Sequence, residues 1–249
     1  MSARLKFIVA YDGVPFAGWQ SQSNGNTVQD HLERAFRSVC GTDLRVHGSG
    51  RTDAGVHALR QCAHVDLPDR RFTGDRWVPA VNAGLPAAIR VLQCRYVSDT
   101  FHARFSARGK VYRYRIWNAR VLPPFESGRA WHVPNPLEYE AIVEAARLFE
   151  GEHDFAGFAA NRGSRVKSTV RTILSVRTRR QGPCITAEFD GNGFLYKMVR
   201  LMVGALGQVG AGKSSKMEIS RRLSREPLLD SDRRLVAPAQ GLNLLRVRY

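Results

Sequence analysis

The alternation of hydrophobic and polar positions predicts a first half that mixes strands with helices. Residues 5–11 are apolar and rich in β-favouring side chains, which indicates an opening strand. After Thr27, a favourable N-cap, apolar residues recur at helical spacing as far as Val39, and Gly41 ends the predicted helix. The other elements predicted in this half are strands at residues 44–47, 61–67 and 89–97 and a short helix at residues 76–83.

The second half repeats the mixture. Residues 111–117 alternate strictly, which places Tyr112 and Tyr114 on one face of a strand and Arg113 and Arg115 on the other. The remaining predictions are helices at residues 137–150, 194–206 and 215–224, paired strands at residues 170–179 and 184–189, a last strand at residues 243–249 and a basic, mobile loop at residues 161–167.

These elements predict an α+β fold with two similar α/β halves, residues 1–105 and residues 106–249. Strands outnumber helices, and the links between successive strands are short. Short links join antiparallel strands, whereas parallel strands need long crossovers, so we expect mostly antiparallel sheets.

Of the properties of the amino-acid composition, the charge indicates a class of binding partner. The chain has 249 residues, of which 43% are hydrophobic, so it carries enough apolar surface for a core and is not a disordered chain. Lysine and arginine number 38 against 22 acidic residues, a net charge of +16, which is typical of proteins that bind a polyanion.

The lengths of the apolar runs and the spacing of the cysteines argue against a membrane-spanning protein and a metal-binding protein. No run of about 18 apolar residues is present, so we predict no membrane span. The four cysteines, Cys40, Cys62, Cys94 and Cys184, lie far apart without metal-ligand spacing, and we expect them to act as small buried hydrophobes. These features predict a cytoplasmic, reduced protein without a bound metal.

One motif matches a nucleotide-binding pattern. Residues 207–214 fit G-x-x-x-x-G-K-[ST] at every letter. A phosphate-binding loop needs a buried strand before it, however, and residues 194–206 have helical spacing. Only 35 residues follow Ser214, too few for the parallel sheet of such a fold. We therefore predict that these glycines end one helix before Ser214 or Ser215 caps the next.

The most informative segment is Gly50-Arg-Thr-Asp-Ala-Gly-Val-His57. It places Asp53 two residues after Arg51 and two before Gly55. A carboxylate beside a guanidinium stays ionised and oriented, which suits a nucleophile. A surface turn in which Asp and Gly perform only turn chemistry would explain the same letters.

Other residues supply what such an aspartate would need. Arg200 lies in an apolar helix, where it either meets a buried carboxylate or extends to the surface. Tyr112 either stacks on an extruded base or packs in the core. The basic and aromatic segment at residues 101–105 makes His102 and Arg104 candidate RNA contacts.

Taken in order, these motifs resemble the tRNA pseudouridine synthases of the TruA family over nearly the whole chain. The resemblance rests on Gly50 to His57 and on further motifs at residues 11–13, 16–20, 81–83, 101–106, 110–114, 193–200 and 241–242. Gly48 and Ser49 stand where Cys and Ala are common in the family, away from the proposed catalytic positions.

The resemblance implies a role for each candidate. Asp53 would be the catalytic aspartate, Tyr112 the tyrosine that stacks on the target base, and Arg200 the basic partner of the aspartate. Arg51 would help to hold the flipped nucleotide. The family implies a pseudouridine synthase fold, with the halves joined across a central basic cleft.

The same resemblance implies the reaction and its partners. The expected activity converts uridines 38, 39 and 40 of the tRNA anticodon stem-loop to pseudouridine, in a homodimer, without a cofactor. Two alternatives remain open from the residues alone: a non-catalytic RNA-binding α+β protein, and the nucleotide hydrolase that residues 207–214 would indicate.

Overall fold

The computed structural model describes residues 3–23, 25–160, 168–224 and 235–249. The predicted mobile loop at residues 161–167 lies outside them. The strands are β1 (Ala3–Tyr11), β2 (Val46–Gly48), β3 (His57–Leu67), β4 (Ile89–Val97), β5 (Gly109–Trp117), β6 (Trp131–His132), β7 (Gly151–Asp154), β8 (Val170–Gln181), β9 (Cys184–Gly191) and β10 (Leu242–Arg248). The helices are α1 (Val28–Cys40), α2 (Trp77–Asn82), α3 (Tyr139–Arg147), α4 (Met198–Gly210) and α5 (Lys216–Leu223).

The chain divides into two compact units. The first comprises Met1–Arg108 together with Asn243–Tyr249, and the second comprises Gly109–Leu242. The division near Arg108 lies close to the predicted boundary between residues 105 and 106. The last strand, which the sequence prediction assigned to the second half, belongs to the first unit, because Asn243 and Leu244 pair in parallel with His57 and Ala58 of β3.

In the first unit, the strands lie in the order β4-β1-β3-β10, and β2 also pairs with β3. The pairs β1–β3, β1–β4 and β2–β3 are antiparallel, as predicted. Alternation along β1 sends Leu5, Phe7 and Val9 into the core. The ring of Phe7 lies 5.3 Å from Phe36 of α1, which in turn lies 6.0 Å from Trp77 of α2, so both helices cover this face.

Helix α1 has the ends that the sequence predicts. The hydroxyl of Thr27 accepts a hydrogen bond from the amide of Asp30, and the Asp30 carboxylate accepts one from the amide of Thr27. This reciprocal capping box satisfies two donors that the first helical turn would leave unpaired. Gly41 ends the helix in the left-handed conformation, so the predicted start and stop signals of α1 are confirmed.

In the second unit, the antiparallel pairs follow the order β5-β9-β8-β7, and β6 pairs in parallel with β5. Its core includes three fully buried phenylalanines, Phe149, Phe155 and Phe158, whose ring centroids lie 5.0 to 6.5 Å apart. Helix α4 begins four residues later than predicted, because Lys197 adopts a positive φ of 59° immediately before it. Helix α3 is shorter at both ends than the predicted residues 137–150.

The two glycines that define the phosphate-loop pattern, Gly207 and Gly212, serve a helix and its end instead. Gly207 lies inside α4, which continues beyond the predicted end at residue 206, and Gly212 follows that helix with a φ of +66°. Ser215 is the N-cap of α5. A Cβ atom on Gly207 would lie 2.7 Å from Cη2 of Trp131, so the helix approaches this ring more closely than any larger residue allows. The prediction of two helices around this motif is confirmed. Gly212 turns the chain after the first helix, as predicted, whereas Gly207 serves close packing inside it.

We expect Gly207→Ala to destabilise the protein by about 1–3 kcal/mol, because the added methyl group would overpack against Trp131. Chemical denaturation measures the change. Lys213→Ala is the matched control at an exposed position of the same motif and should change stability by less than about 0.5 kcal/mol. A stable Gly207→Ala protein would show that the close contact with Trp131 is not required.

Candidate active site

Asp53 lies in the loop that joins β2 to β3, and buried hydrogen bonds fix the first part of this loop. The amide of Ser49 donates to the carbonyl of Cys62 at 2.8 Å, and its hydroxyl donates to Oε1 of Gln61 at 2.6 Å. The amide group of Gln61 returns a bond of 2.9 Å to the carbonyl of Gly50. One buried glutamine of β3 therefore holds the two residues that enter the loop.

Thr52, the residue before Asp53, is held at both its backbone and its side chain. Its carbonyl accepts a hydrogen bond of 3.0 Å from the amide of Trp19, and its hydroxyl lies 2.8 Å from the phenol oxygen of Tyr11. Gly18 makes this approach possible: its φ is +96°, and a Cβ atom there would lie 2.7 Å from the Thr52 carbonyl. The chain between β1 and α1 therefore forms the wall against which the Asp53 loop rests.

The end of the loop also contacts the chain between β1 and α1. The amide of Val56 donates to the carbonyl of Asp53 at 3.1 Å, which forms a turn with Asp53 at its start. The amide of Gly13 donates to Nδ1 of His57 at 3.1 Å, and His57 is buried. His57 thus helps to join the loop to the segment that follows β1.

This anchoring places Asp53 in a half-buried position while its neighbour Arg51 is exposed. The Nε group of Arg51 donates to Oε1 of Gln20 at 2.9 Å. The guanidinium thus extends from the loop surface toward the segment that precedes α1. A fixed carboxylate beside an exposed cation is an arrangement that can act on a substrate carrying phosphates.

The other two candidates of the first unit, His102 and Arg104, share one turn. Arg104 is exposed, and its amide donates to Nδ1 of His102 at 3.1 Å. Burial, followed by the charges of His47, Arg4 and Arg104, lowers the pKa of His102, so the imidazole is the neutral acceptor that this bond requires.

In the second unit, Tyr112 points to the buried side of β5. Its ring is 8% exposed and meets Phe194 nearly at a right angle, with centroids 5.0 Å apart. Tyr114, two residues along, is fully buried and donates from its phenol to the carbonyl of Pro238 at 2.6 Å. Burial raises the pKa of Tyr114 far above its usual value, so this second phenol keeps its proton.

Arg200 lies in the first turn of α4 and is half-buried, which excludes a fully solvated side chain. Its Nε group donates to the carbonyl of Ala237 at 2.8 Å, and its own carbonyl accepts from the Ala237 amide at 3.0 Å. The backbone bond holds the two segments together, and the Nε bond orients the guanidinium. A planar fork held in this way suits bidentate contact with a carboxylate.

The candidates therefore fall into two groups. Asp53 and Arg51 share one loop, and His102 and Arg104 share one turn, all in the first unit; Tyr112 and Arg200 belong to the second. The contact of Asp53 with Arg200 stays a prediction. Sequence reasoning missed the residues that hold the loop, Tyr11, Thr52 and Gln61, because each acts through a partner distant along the chain.

The four cysteines differ in burial. Only Cys62 is fully buried; Cys40, Cys94 and Cys184 are partly exposed, so the expectation that all four fill the core was wrong. Burial raises the pKa of Cys94 to about 12, which keeps this thiol protonated. Among the described residues, no group of three or more His, Cys, Asp or Glu side chains is placed to hold a metal ion. Within the same ranges, no helix has the length and apolar character of a membrane span.

Comparison with known proteins identifies the family. The family model described as tRNA pseudouridine synthase matches residues 7–106 and 145–249. The protein named tRNA pseudouridine synthase A of Akkermansia muciniphila is 48% identical over 99% of this chain and 95% of its own length. Proteins of the same name from Solidesulfovibrio magneticus and Methylacidiphilum infernorum are 46% and 42% identical, over 99% and 98% of this chain and 91% and 94% of theirs.

These matches cover both units, and the α+β architecture with mostly antiparallel strands agrees with them. They favour an isomerase over the alternative of a non-catalytic RNA-binding protein. The chain belongs to the tRNA pseudouridine synthase family.

Proposed function

We propose that this chain converts uridine to pseudouridine at positions 38, 39 and 40 of the tRNA anticodon stem-loop, with Asp53 as its catalytic carboxylate. The observation that carries the proposal is the loop itself. Both flanks of Asp53 are tied to the core of the first unit, through Thr52 on one side and His57 on the other. Such anchoring gives a catalytic group one position without a cofactor to orient it.

The reaction is an isomerisation and balances within the substrate. The bond between N1 of uracil and C1′ of ribose breaks, the base turns, and a bond forms between C5 and C1′. The proton on C5 is lost, and N1 gains one. No electron is transferred to or from the nucleotide. The reaction therefore requires from the protein a nucleophile or general base, a site for the extruded uracil and a route for one proton.

Asp53 can begin this reaction in three ways. Its carboxylate attacks C1′, attacks C6 of the base, or removes a proton from the sugar to give a glycal. All three need the nucleotide to leave the helical stack, which costs a few kcal/mol. The exposed cation of Arg51, in the same loop, is suited to contact the displaced backbone and offset that cost.

The second unit supplies the other proposed groups. Tyr112 would stack on the target base, and Arg200 would pair with Asp53. The bond from the Arg200 Nε group to Ala237 supports this role, because it presents the guanidinium in a fixed plane. We propose Tyr112 as a base platform first and as a participant in proton transfer only if its hydroxyl proves necessary.

Binding of the whole tRNA would use the excess of basic side chains. The net charge of +16 suits a polyanion, and the turn that carries His102 presents the cation of Arg104 on the first unit. We further propose that the protein works in the cytoplasm as a homodimer, with one tRNA touching both subunits. Light scattering that gives twice the mass of one chain would support the dimer.

Asp53→Asn should lower pseudouridine formation by on the order of 10³-fold or more while tRNA affinity changes little, because the amide keeps the shape and loses the nucleophile. Carbodiimide labelling of incubated tRNA measures the product. Asp43→Asn, at an exposed aspartate of the same unit, is the control and should retain full activity. Substantial product from Asp53→Asn would refute the nucleophilic role.

Tyr112→Phe should keep tRNA affinity and retain turnover to within about tenfold, since the ring that stacks is preserved. Tyr112→Ala should lose most activity. The two variants are compared by single-turnover rates with saturating protein. If Tyr112→Phe is inactive although it binds tRNA normally, the hydroxyl takes part in proton transfer.

Gly18→Ala should reduce turnover, because the methyl group would push against the Thr52 carbonyl and displace the residue before Asp53. Gly25→Ala is the matched control: Gly25 also has a positive φ, +67°, but no atom lies within 4 Å of an added Cβ. Both variants bear the backbone strain of a positive φ, about 1 kcal/mol. Equal activities in the two proteins would show that the contact with Thr52 does not position the loop.

A further inference from the structure

The turn that carries His102 and Arg104 also presents a large exposed aromatic ring. Phe105 is 76% exposed, and its ring centroid lies 4.3 Å from that of His102, with the planes inclined by 31°. The guanidinium carbon of Arg104 lies 5.7 Å from the centre of the same ring. We call these three residues the Phe105 platform.

Local hydrogen bonds hold the platform in one shape. Nδ1 of His102 accepts from the amides of Arg104 and Phe105, at 3.1 and 3.3 Å. The amide of Ser106 donates to the carbonyl of His102 at 2.9 Å, and the amide of His102 donates to the hydroxyl of Ser106 at 3.0 Å. The turn is therefore closed on itself, and these bonds fix the backbone position from which the Phe105 side chain projects.

Two further bonds fasten the turn to the core of the first unit through Ala103. Its amide donates to Nδ1 of buried His64 at 3.2 Å, and its carbonyl accepts from the phenol of Tyr249 at 2.7 Å. The ammonium of Lys6 lies 3.9 Å from the centre of the Tyr249 ring and 4.8 Å from that of Phe101. The ring of Phe105 is thus exposed on a rigid support.

The surroundings of the platform are basic. The charges that lower the pKa of His102 after burial come from His47, Arg4 and Arg104, while the opposing acid, Asp66, is already paired with Arg4 at 2.7 Å. An aromatic face beside the exposed guanidinium of Arg104 is complementary to a nucleotide, whose base is flat and apolar and whose phosphate is negative.

A single exposed hydrophobic residue is common and carries no meaning alone. Phe125, which is 87% exposed, provides the comparison within this chain. Its ring makes no aromatic or cation contact with another described residue, whereas Phe105 is backed by His102 and flanked by Arg104. The difference lies in support and charge and not in exposure.

We propose that the Phe105 platform stacks on an unpaired base of the bound tRNA, a base other than the target uridine. The proposal extends the proposed function, because it takes tRNA as the substrate. The contact contributes to affinity and leaves the chemical step unchanged, since the platform does not belong to the Asp53 loop. Every base offers an aromatic face, so the platform selects for an unpaired base and not for its identity.

The test compares full-length wild type, Phe105→Ala, Phe105→Trp and Phe125→Ala. Phe105→Ala should weaken tRNA binding by about 5- to 100-fold, the range that loss of one base stack gives. Its single-turnover rate at saturating protein should equal that of wild type. Phe125→Ala should match wild type in both measurements, and Phe105→Trp should bind at least as tightly as wild type.

Phe105→Trp also reports the contact directly. Stacking on a base should quench the emission of the added tryptophan when tRNA is titrated, measured as the difference from wild type. Normal tRNA affinity in Phe105→Ala, or no quenching in Phe105→Trp, would overturn the proposal. A fall to the mass of one chain in Phe105→Ala alone would overturn it too, in favour of contact with a second copy. Failure of the proposed function is separate, since wild type would then form no pseudouridine.

Discussion

The position of Asp53 depends on one constraint, that the polar groups buried behind its loop must all find partners. An unpaired buried donor or acceptor costs about 1–3 kcal/mol, so Thr52, Ser49 and Gln61 can satisfy their groups only in one arrangement of the chain. Tyr11 and Trp19 complete that arrangement from the opposite wall. The loop between β2 and β3 is thereby anchored at several points, as the proposed role of Asp53 requires.

Local signals in the sequence were sufficient for the elements whose limits are set locally. The capping box at Thr27 and the glycine at residue 41 define α1. The strand predicted at residues 89–97 has the same first and last residues as β4. The start of α4 was missed because Lys197 adopts a conformation that its side chain disfavours and that only the surrounding fold imposes. Residues 207–214 match the phosphate-loop pattern because the close packing at Gly207 and the positive φ at Gly212 both require glycine, as phosphate binding does.

The candidate site divides in the same way. Asp53 was identified from its own neighbours, Arg51 and Gly55, which are adjacent in the sequence. The residues that hold the Asp53 loop were not identified from the sequence, because their partners are distant along it. The hydroxyl of Tyr11, for example, contacts Thr52, which is 41 positions away. Tyr249 and Ala103 are 146 positions apart, and their contact fixes the turn that displays Phe105. Residue type thus predicts the candidate reactive groups, whereas pairing between distant residues positions them.

The place of β10 has a consequence for biosynthesis. The chain leaves the first unit at Arg108, builds the whole of the second, and returns at Asn243 to add a strand beside β3. During synthesis on the ribosome, residues 109–242 therefore emerge, and can fold, while the earlier unit still exposes an unpaired edge. The strand that carries His57, directly after the Asp53 loop, therefore acquires this parallel neighbour only after the intervening unit has been made. The sheet that supports the loop is thus completed by residues synthesised after the second unit, although they lie beside residues synthesised before it.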